Sequence, residues 1–210
     1  MKMRMTTTAL ALVACLGIVA GCGTDAVSKD QEARVGSKAP DFTLTDAHGQ
    51  KHTLSDLKGK YVVLEWINFE CPFVKKHYSV GNMQTLQDEY GEKGVVWLSI
   101  CSSAPGKQGY YEGEDLLSRL KQQKSEAAAY LIDADGTVGK MYGAKATPNM
   151  FVIDPDGILR YAGAIDDHPT PKPEDIPNST NYVKAALDAV MAGKEVSVKT
   201  SAPYGCSVKY

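Results

Sequence analysis

Hydrophobic and polar positions fall into a regular succession from Asp41 onward. "FTLTDAHGQKHTL" alternates, turns at a glycine and alternates again, which predicts a β-hairpin. "KYVVLEWINF", Lys60 to Phe69, is a mostly apolar run rich in Val, Trp and Phe, the signature of a strand buried on both faces. A helix is expected from Pro72 to about Tyr90, with Val80, Met83, Leu86 and Tyr90 on one side and Gly81 marking a kink. "GVVWLSI" predicts a second buried strand, "GEDLLSRLKQQ" an amphipathic helix, "AYLID" a short strand and "TVGKMYGA" a short helix. Asn149 to Ile165 reads as a hairpin turning at Pro155-Asp156-Gly157. Asn181 to Gly193 reads as a helix with Val183, Leu187, Val190 and Met191 on one face and Gly193 at its end. Alternating strands and helices closed by a hairpin predict an α/β fold, a mixed sheet with helices on both faces. Chemistry on such a sheet gathers at the C-terminal ends of its parallel strands. Cys71 and Cys101 stand at two such ends.

The N-terminus breaks this pattern. "MKMR" is basic, and Ala9 to Gly21 is an apolar run too short to span a bilayer comfortably, as in a secretory signal. It ends in Val19-Ala20-Gly21-Cys22, which resembles a bacterial lipobox. The resemblance implies cleavage before Cys22, lipidation of Cys22 and a stable membrane anchor. A plain secretory signal is the alternative. Gly23 after Cys22 resembles the outer-membrane sorting pattern of Gram-negative lipoproteins. The expected organisation is a signal at 1–21, a lipidated cysteine and polar tether at 22–35, a domain at 36–194 and a tail at 195–210.

Composition narrows the function. At 43% hydrophobic residues the 210-residue chain can build one proper core. Its formal charge is −2, reaching −4 once Lys2 and Arg4 leave with the signal, and no basic run exceeds Lys75-Lys76. Nucleic-acid binding is therefore not expected. Of five cysteines, Cys71, Cys101 and Cys206 remain in the domain and tail, in a compartment where disulfides persist. No CxxC and no histidine pair at ligand spacing is present, so neither a structural zinc site nor any cofactor is implied. "DADG" at Asp133 and "DPDG" at Asp154 lack a glutamate at the twelfth position, where Ala144 and Ile165 stand, and read as turns.

Three stretches carry a family resemblance. "APDFTLTDAHGQKHTLSDLKGKYVVLEW", "ECPF" and "GAKATPNMFVIDPDGILRYAGAIDD" resemble the thioredoxin-fold redoxins of the AhpC/TSA superfamily over roughly residues 36–194. The tail "PYGCSVKY" is similar to that of a peroxiredoxin-like subgroup ending in Gly-Cys-Ser-aliphatic-Lys-aromatic. The resemblance implies a thioredoxin-like fold, Cys71 as first active-site cysteine and a cis-proline at Pro148 after Thr147. Pro72, Thr147 and Pro148 would then line a groove for an extended thiol or disulfide substrate. By the same resemblance Cys206 is the expected resolving partner, carried on a flexible tail; Cys101, brought near by its strand-end position, is the second choice, or else simply a small residue ending a buried strand.

Two departures stand out. Val74 occupies the place of a thioredoxin's second cysteine. A peroxiredoxin's Pro-x-x-x-Thr/Ser-x-x-Cys is met here by Leu64 and Asn68, and its arginine position falls on Pro148. Asn68 is expected to replace the missing hydroxyl in part. The thiolate is the reactive form of cysteine. At Cys71 the helix N-terminus with Lys75 and Lys76 should favour it, against Glu70. His77 is read as a surface residue, Trp66 and Trp97 as core, and the Pro-rich loop Ile165 to Thr180 either as a border of the site or as an ordinary surface excursion.

Three functions compete. The first is a lipid-anchored thiol–disulfide redox protein of the cell envelope acting on protein or small-molecule thiols and disulfides. The second is a thiol peroxidase passing through a sulfenic acid. The third is a non-catalytic binding protein in which Cys71–Cys206 is a staple closing a 135-residue loop. Copper delivery ranks below these, since the CxxxC and distant histidine of such proteins are not evident.

Overall fold

The structure, a computed structural model, describes residues 32–210. The signal, the lipidation site Cys22 and most of the tether fall outside the described residues. The hairpin comes first, with β1 at Thr43–Asp46 and β2 at Lys51–Thr53. There follow β3 (Val62–Trp66), α1 (Pro72–Tyr78), α2 (Asn82–Glu92), β4 (Val96–Cys101) and α3 (Gly113–Gln123). Next are β5 (Ala129–Ile132), α4 (Thr137–Tyr142), β6 (Ala146–Thr147), β7 (Asn149–Ile153) and β8 (Leu159–Gly163). The chain ends with α5 (Tyr182–Met191) and β9 (Cys206–Ser207).

Seven strands form one sheet in the order β2-β1-β5-β4-β3-β7-β8. The β3–β4 and β4–β5 pairs are parallel, while β3–β7 and β7–β8 are antiparallel. Every residue of β3 is buried because both faces of the sheet are covered. Its alternation feeds two cores. Val63 joins Val74, Met83, Tyr90, Val183 and Leu187 beneath α1, α2 and α5. Leu64 and Trp66 join Met141, Tyr142 and Phe151 on the α4 side. Trp66 packs edge-on to Phe151 and donates its Nε1–H to Ser102 Oγ at 2.9 Å. Trp97 lies in the first core, donating to Glu65.

The single helix expected from Pro72 to Tyr90 is two. Gly81 takes the left-handed conformation (φ 77°) at the N-cap of α2, which ends the first helix instead of kinking it. Val80, expected on the apolar face, is therefore outside both helices and 57% exposed. Asp133 and Asp154 close turns as read: Asp133 accepts from the Val138 and Gly139 amides, Asp154 from the Asp156 and Ile158 amides. The body also begins earlier than the sequence suggests. Ala33, within the assigned tether, already donates its amide to the Met141 carbonyl at 3.0 Å.

The tail is not a free arm. Thr200 bridges Ala162, Ser201 Oγ accepts from the Ala164 amide, Val208 packs on the second core, and Tyr210 donates to the Ala144 carbonyl. Its last strand, β9, pairs antiparallel with β6: Ala146 opposite Ser207, Thr147 opposite Cys206. No helix among the described residues is long and apolar enough to cross a membrane.

Candidate active site

Cys71 follows β3 and is the N-cap of α1, with Pro72 at the first helical position and Lys75 N–H donating to the Cys71 carbonyl at 2.9 Å. Its side chain is fully buried. The thiol donates to the Thr147 carbonyl at 3.1 Å, across the cis Thr147–Pro148 bond. Cys206 is the partner of Thr147 in the β6–β9 ladder, and its thiol and backbone amide both act on the Cys71 sulfur. The structure thus gathers Cys71, Pro72, Thr147, Pro148 and Cys206 at one end of β3. All three described cysteines are thiols.

Cys101 goes elsewhere. It is buried at the end of β4, and its thiol faces the Gly109 carbonyl at 3.4 Å. Gly109 packs so tightly on Asn68 that a Cβ there would stand 2.5 Å from the Asn68 side chain. Asn68 Nδ2 donates to the Gln108 carbonyl and Asn68 Oδ1 accepts from the Glu70 amide. That side chain holds the loop and does not supply the hydroxyl-like donor expected of it.

The electrostatics of Cys71 differ from expectation in their source. Burial raises its pKa, but hydrogen bonds from Cys206, Thr147 and the Val74 amide outweigh burial and hold the thiol below its ordinary range. Cys206 is pushed the other way, up to about 11, by burial and by the neighbouring Cys71 sulfur. Thr147 Oγ1 is buried without a hydrogen-bond partner while Cys71 is a thiol, so it is poised to donate to a thiolate. The lysines contribute differently from the reading. Lys75 is exposed, and Lys76 is buried with its ammonium on Asp166 at 3.2 Å. Glu70 accepts from Tyr111 and faces Arg119 at 3.7 Å.

His77 also overturns the reading. It is fully buried, with Nδ1 facing Asn82 at 2.9 Å and Nε2 without a hydrogen bond, 3.8 Å from Asp166. Near the start of the Pro-rich loop, Asp166 accepts from Lys76 of the Cys71 helix and from Tyr204 of the tail. Sequence reasoning passed over Glu65, an acid in the middle of an otherwise apolar strand. That mismatch was the available signal. Glu65 is fully buried on the core face of Tyr78 and Trp97, accepting from Trp97 Nε1 at 2.8 Å and from Gln87, Ser99 and Tyr78 at 3.3 Å. Burial raises its pKa to about 7, the donors only partly opposing.

A dithiol beside a backbone carbonyl, with one sulfur stabilised as thiolate and the other holding its proton, can exchange with disulfides. Peroxide activation has less support in the geometry. The described arginines are engaged elsewhere: Arg34 by Glu32, Arg119 by Glu70, Arg160 by Asp154.

Comparison with known proteins agrees with the fold. Thiol-disulfide oxidoreductase ResA of Bacillus cereus (strain ATCC 10987 / NRS 248) is 31% identical over 130 residues, covering 62% of this chain and 69% of the relative. An uncharacterised conserved protein from Geobacillus kaustophilus superimposes with TM-score 0.71 at 30% identity, over 84% of this chain and 92% of that one. A putative thiol:disulfide interchange protein DsbE from Chlorobium tepidum superimposes with TM-score 0.51 at 27% identity, over 62% and 85% of the two chains. The AhpC/TSA family model matches residues 35–162, and the chain belongs to that family, as a redoxin on the thioredoxin fold.

Proposed function

We propose that this protein is a thiol–disulfide oxidoreductase whose redox pair is Cys71 and Cys206. The observation that carries the reading is the β6–β9 ladder, which seats Cys206 opposite Thr147 while Thr147 accepts from Cys71. In the reducing direction the Cys71 thiolate attacks one sulfur of a substrate disulfide, and the other sulfur leaves as a thiolate. Cys206 then attacks Cys71 Sγ, its proton passing to the departing substrate thiol. The substrate disulfide gains two electrons and the pair becomes a disulfide, which an external dithiol returns to the starting state. The reverse sequence oxidises a substrate dithiol. Low pKa at Cys71 makes it the better leaving group of the pair.

Because Cys71 is buried under the tail, a substrate reaches it only when the two-residue ladder opens. Opening also frees the Ala146–Thr147 edge, beside Pro148, for an extended substrate segment. Partners of matching chemistry are thiol- or disulfide-bearing proteins and small thiols. The lipobox-like N-terminus supports a lipid-anchored location in the cell envelope.

The test is thiol trapping with mass spectrometry on residues 23–210, equilibrated through a series of glutathione buffers. A reversible Cys71–Cys206 disulfide at moderate potential is the expected result. A Cys71 that stays a free thiol in every buffer would overturn the reading, and a bridge that resists mild reductants would make it a staple.

A further inference from the structure

One buried charged cluster is not used by the chemistry above. Lys76, on the same helix as Cys71, and Asp166, at the start of the Pro-rich loop, are 1% and 2% exposed. Each is satisfied by protein groups. Lys76 Nζ donates to Asp166 Oδ2 at 3.2 Å and to the His168 carbonyl at 2.8 Å, with Tyr204 Oη at 3.5 Å. Asp166 Oδ1 accepts from the His168 amide at 3.0 Å and from the Tyr204 hydroxyl. The Tyr204 ring stands edge-on to Phe73, with the Lys76 ammonium 5.5 Å from its centroid.

A buried ion pair is a poor source of stability, because desolvation offsets most of the attraction. It does fix geometry, since its charges tolerate few arrangements. Here the geometry joins the two cysteine-bearing segments. Lys76 stands five residues after Cys71 and Tyr204 two residues before Cys206. Asp166 is itself fixed, bridging Asn181, whose side chain caps α5.

We propose that Asp166 is the positioning residue of the redox pair: held by Lys76 of the Cys71 helix, it grips Tyr204 and so sets Cys206 beside Cys71. Asp166 touches neither sulfur and acts through Tyr204. The inference rests on the Cys71–Cys206 reading and specifies what makes that pair close. The quantity at stake is the effective concentration of Cys206 at Cys71, which falls when its segment swings free.

The experiment compares the domain, residues 23–210, with Asp166→Asn, Tyr204→Phe and the control Tyr90→Phe, which removes the Tyr90–Asp188 hydrogen bond away from the site. Two readouts are taken: the Cys71–Cys206 equilibrium against glutathione, and the iodoacetamide rate at Cys71. Tyr204→Phe keeps the ring on Phe73 and loses only the hydroxyl, so it folds even where Asp166→Asn does not. Expected is a fall of about tenfold or more in effective concentration for Tyr204→Phe, the scale of losing one hydrogen bond to a charged group. Faster Cys71 alkylation should accompany it, with the control unchanged in both. Wild-type values in Tyr204→Phe, or an equal change in Tyr90→Phe, would overturn the proposal. If the wild type forms no disulfide at all, the pair reading fails separately, and an unchanged alkylation rate in Tyr204→Phe then refutes the positioning role as well.

Discussion

Gly205 lies against the Thr147 carbonyl so closely that a Cβ on it would stand 2.0 Å from that oxygen. The glycine also holds φ at 130°, a region costly for other residues. Sequence and site meet here: only a residue without a side chain lets the next one, Cys206, pair with Thr147. Gly205→Ala should push the tail off β6. The Cys71–Cys206 equilibrium constant in glutathione buffer should then fall by about tenfold, for a displacement costing on the order of 1–3 kcal/mol. An unchanged constant would mean that the tail does not need this approach.

Thr147 supplies a sharper test of the electrostatics. Its hydroxyl is buried and unpartnered in the thiol form. Thr147→Val removes that hydroxyl at nearly constant shape. The Cys71 pKa should rise, because the thiolate loses a donor, while thermal stability holds or improves, because an unsatisfied buried group is gone. Cys206→Ala should raise the Cys71 pKa as well, and Cys206→Ser less, since its hydroxyl still donates. Thiolate absorbance in the ultraviolet, followed against pH, measures all three. A Cys71 pKa that ignores every one of these changes would sink the hydrogen-bond account.

Glu65 and His77 make opposite demands on pH. Glu65, raised by burial from 4.5 to about 7, favours the folded state below pH 4.5 and loses that contribution as pH climbs through 7. His77, lowered by burial from 6.5 to about 4 despite Asp166, favours the folded state above pH 6.5 and loses it as pH drops toward 4. Each is of order 3 kcal/mol, so the slopes nearly cancel between pH 4.5 and 6.5. Denaturant midpoints should be flat there in the wild type. Glu65→Gln should unmask a loss on acidification, and His77→Asn a loss on going basic. Identical pH profiles in the two variants would contradict this account.

Peroxide should be a poor substrate. No described arginine is placed on Cys71, and Asn68 is occupied by Gln108 and Glu70. Hydrogen peroxide consumption by the reduced domain should stay near that of an ordinary thiol, while exchange with glutathione disulfide is faster. Rapid turnover of peroxide with sulfenic acid at Cys71 would reverse the order of the two readings.

Local periodicity made most of the fold legible. β3 and β4 announce themselves as unbroken apolar runs, the two hairpins as alternation around Gly-containing turns, and α5 by Val183 and Leu187 at helical spacing with Gly193 beyond its end. The Gly81 break is not legible, because a glycine within a helical pattern does not reveal its own φ. Strands β6 and β9 could not be read, since two residues each carry no period.

By itself, the sequence determined the α/β succession, the strand-end position of Cys71 and the absence of a CxxC. Tertiary structure alone decided what surrounds that cysteine. Lys76 and His77 look like surface residues because charge and imidazole ordinarily seek water. They are buried because Asp166, 90 residues from Lys76, offers the lysine a compensating charge. Cys206 is 135 residues from Cys71, and only the packing of the tail across Ala162, Asp166 and Thr147 brings it back. Periodicity reports which face of an element meets the core. It carries no information on which distant segment will be there to meet it.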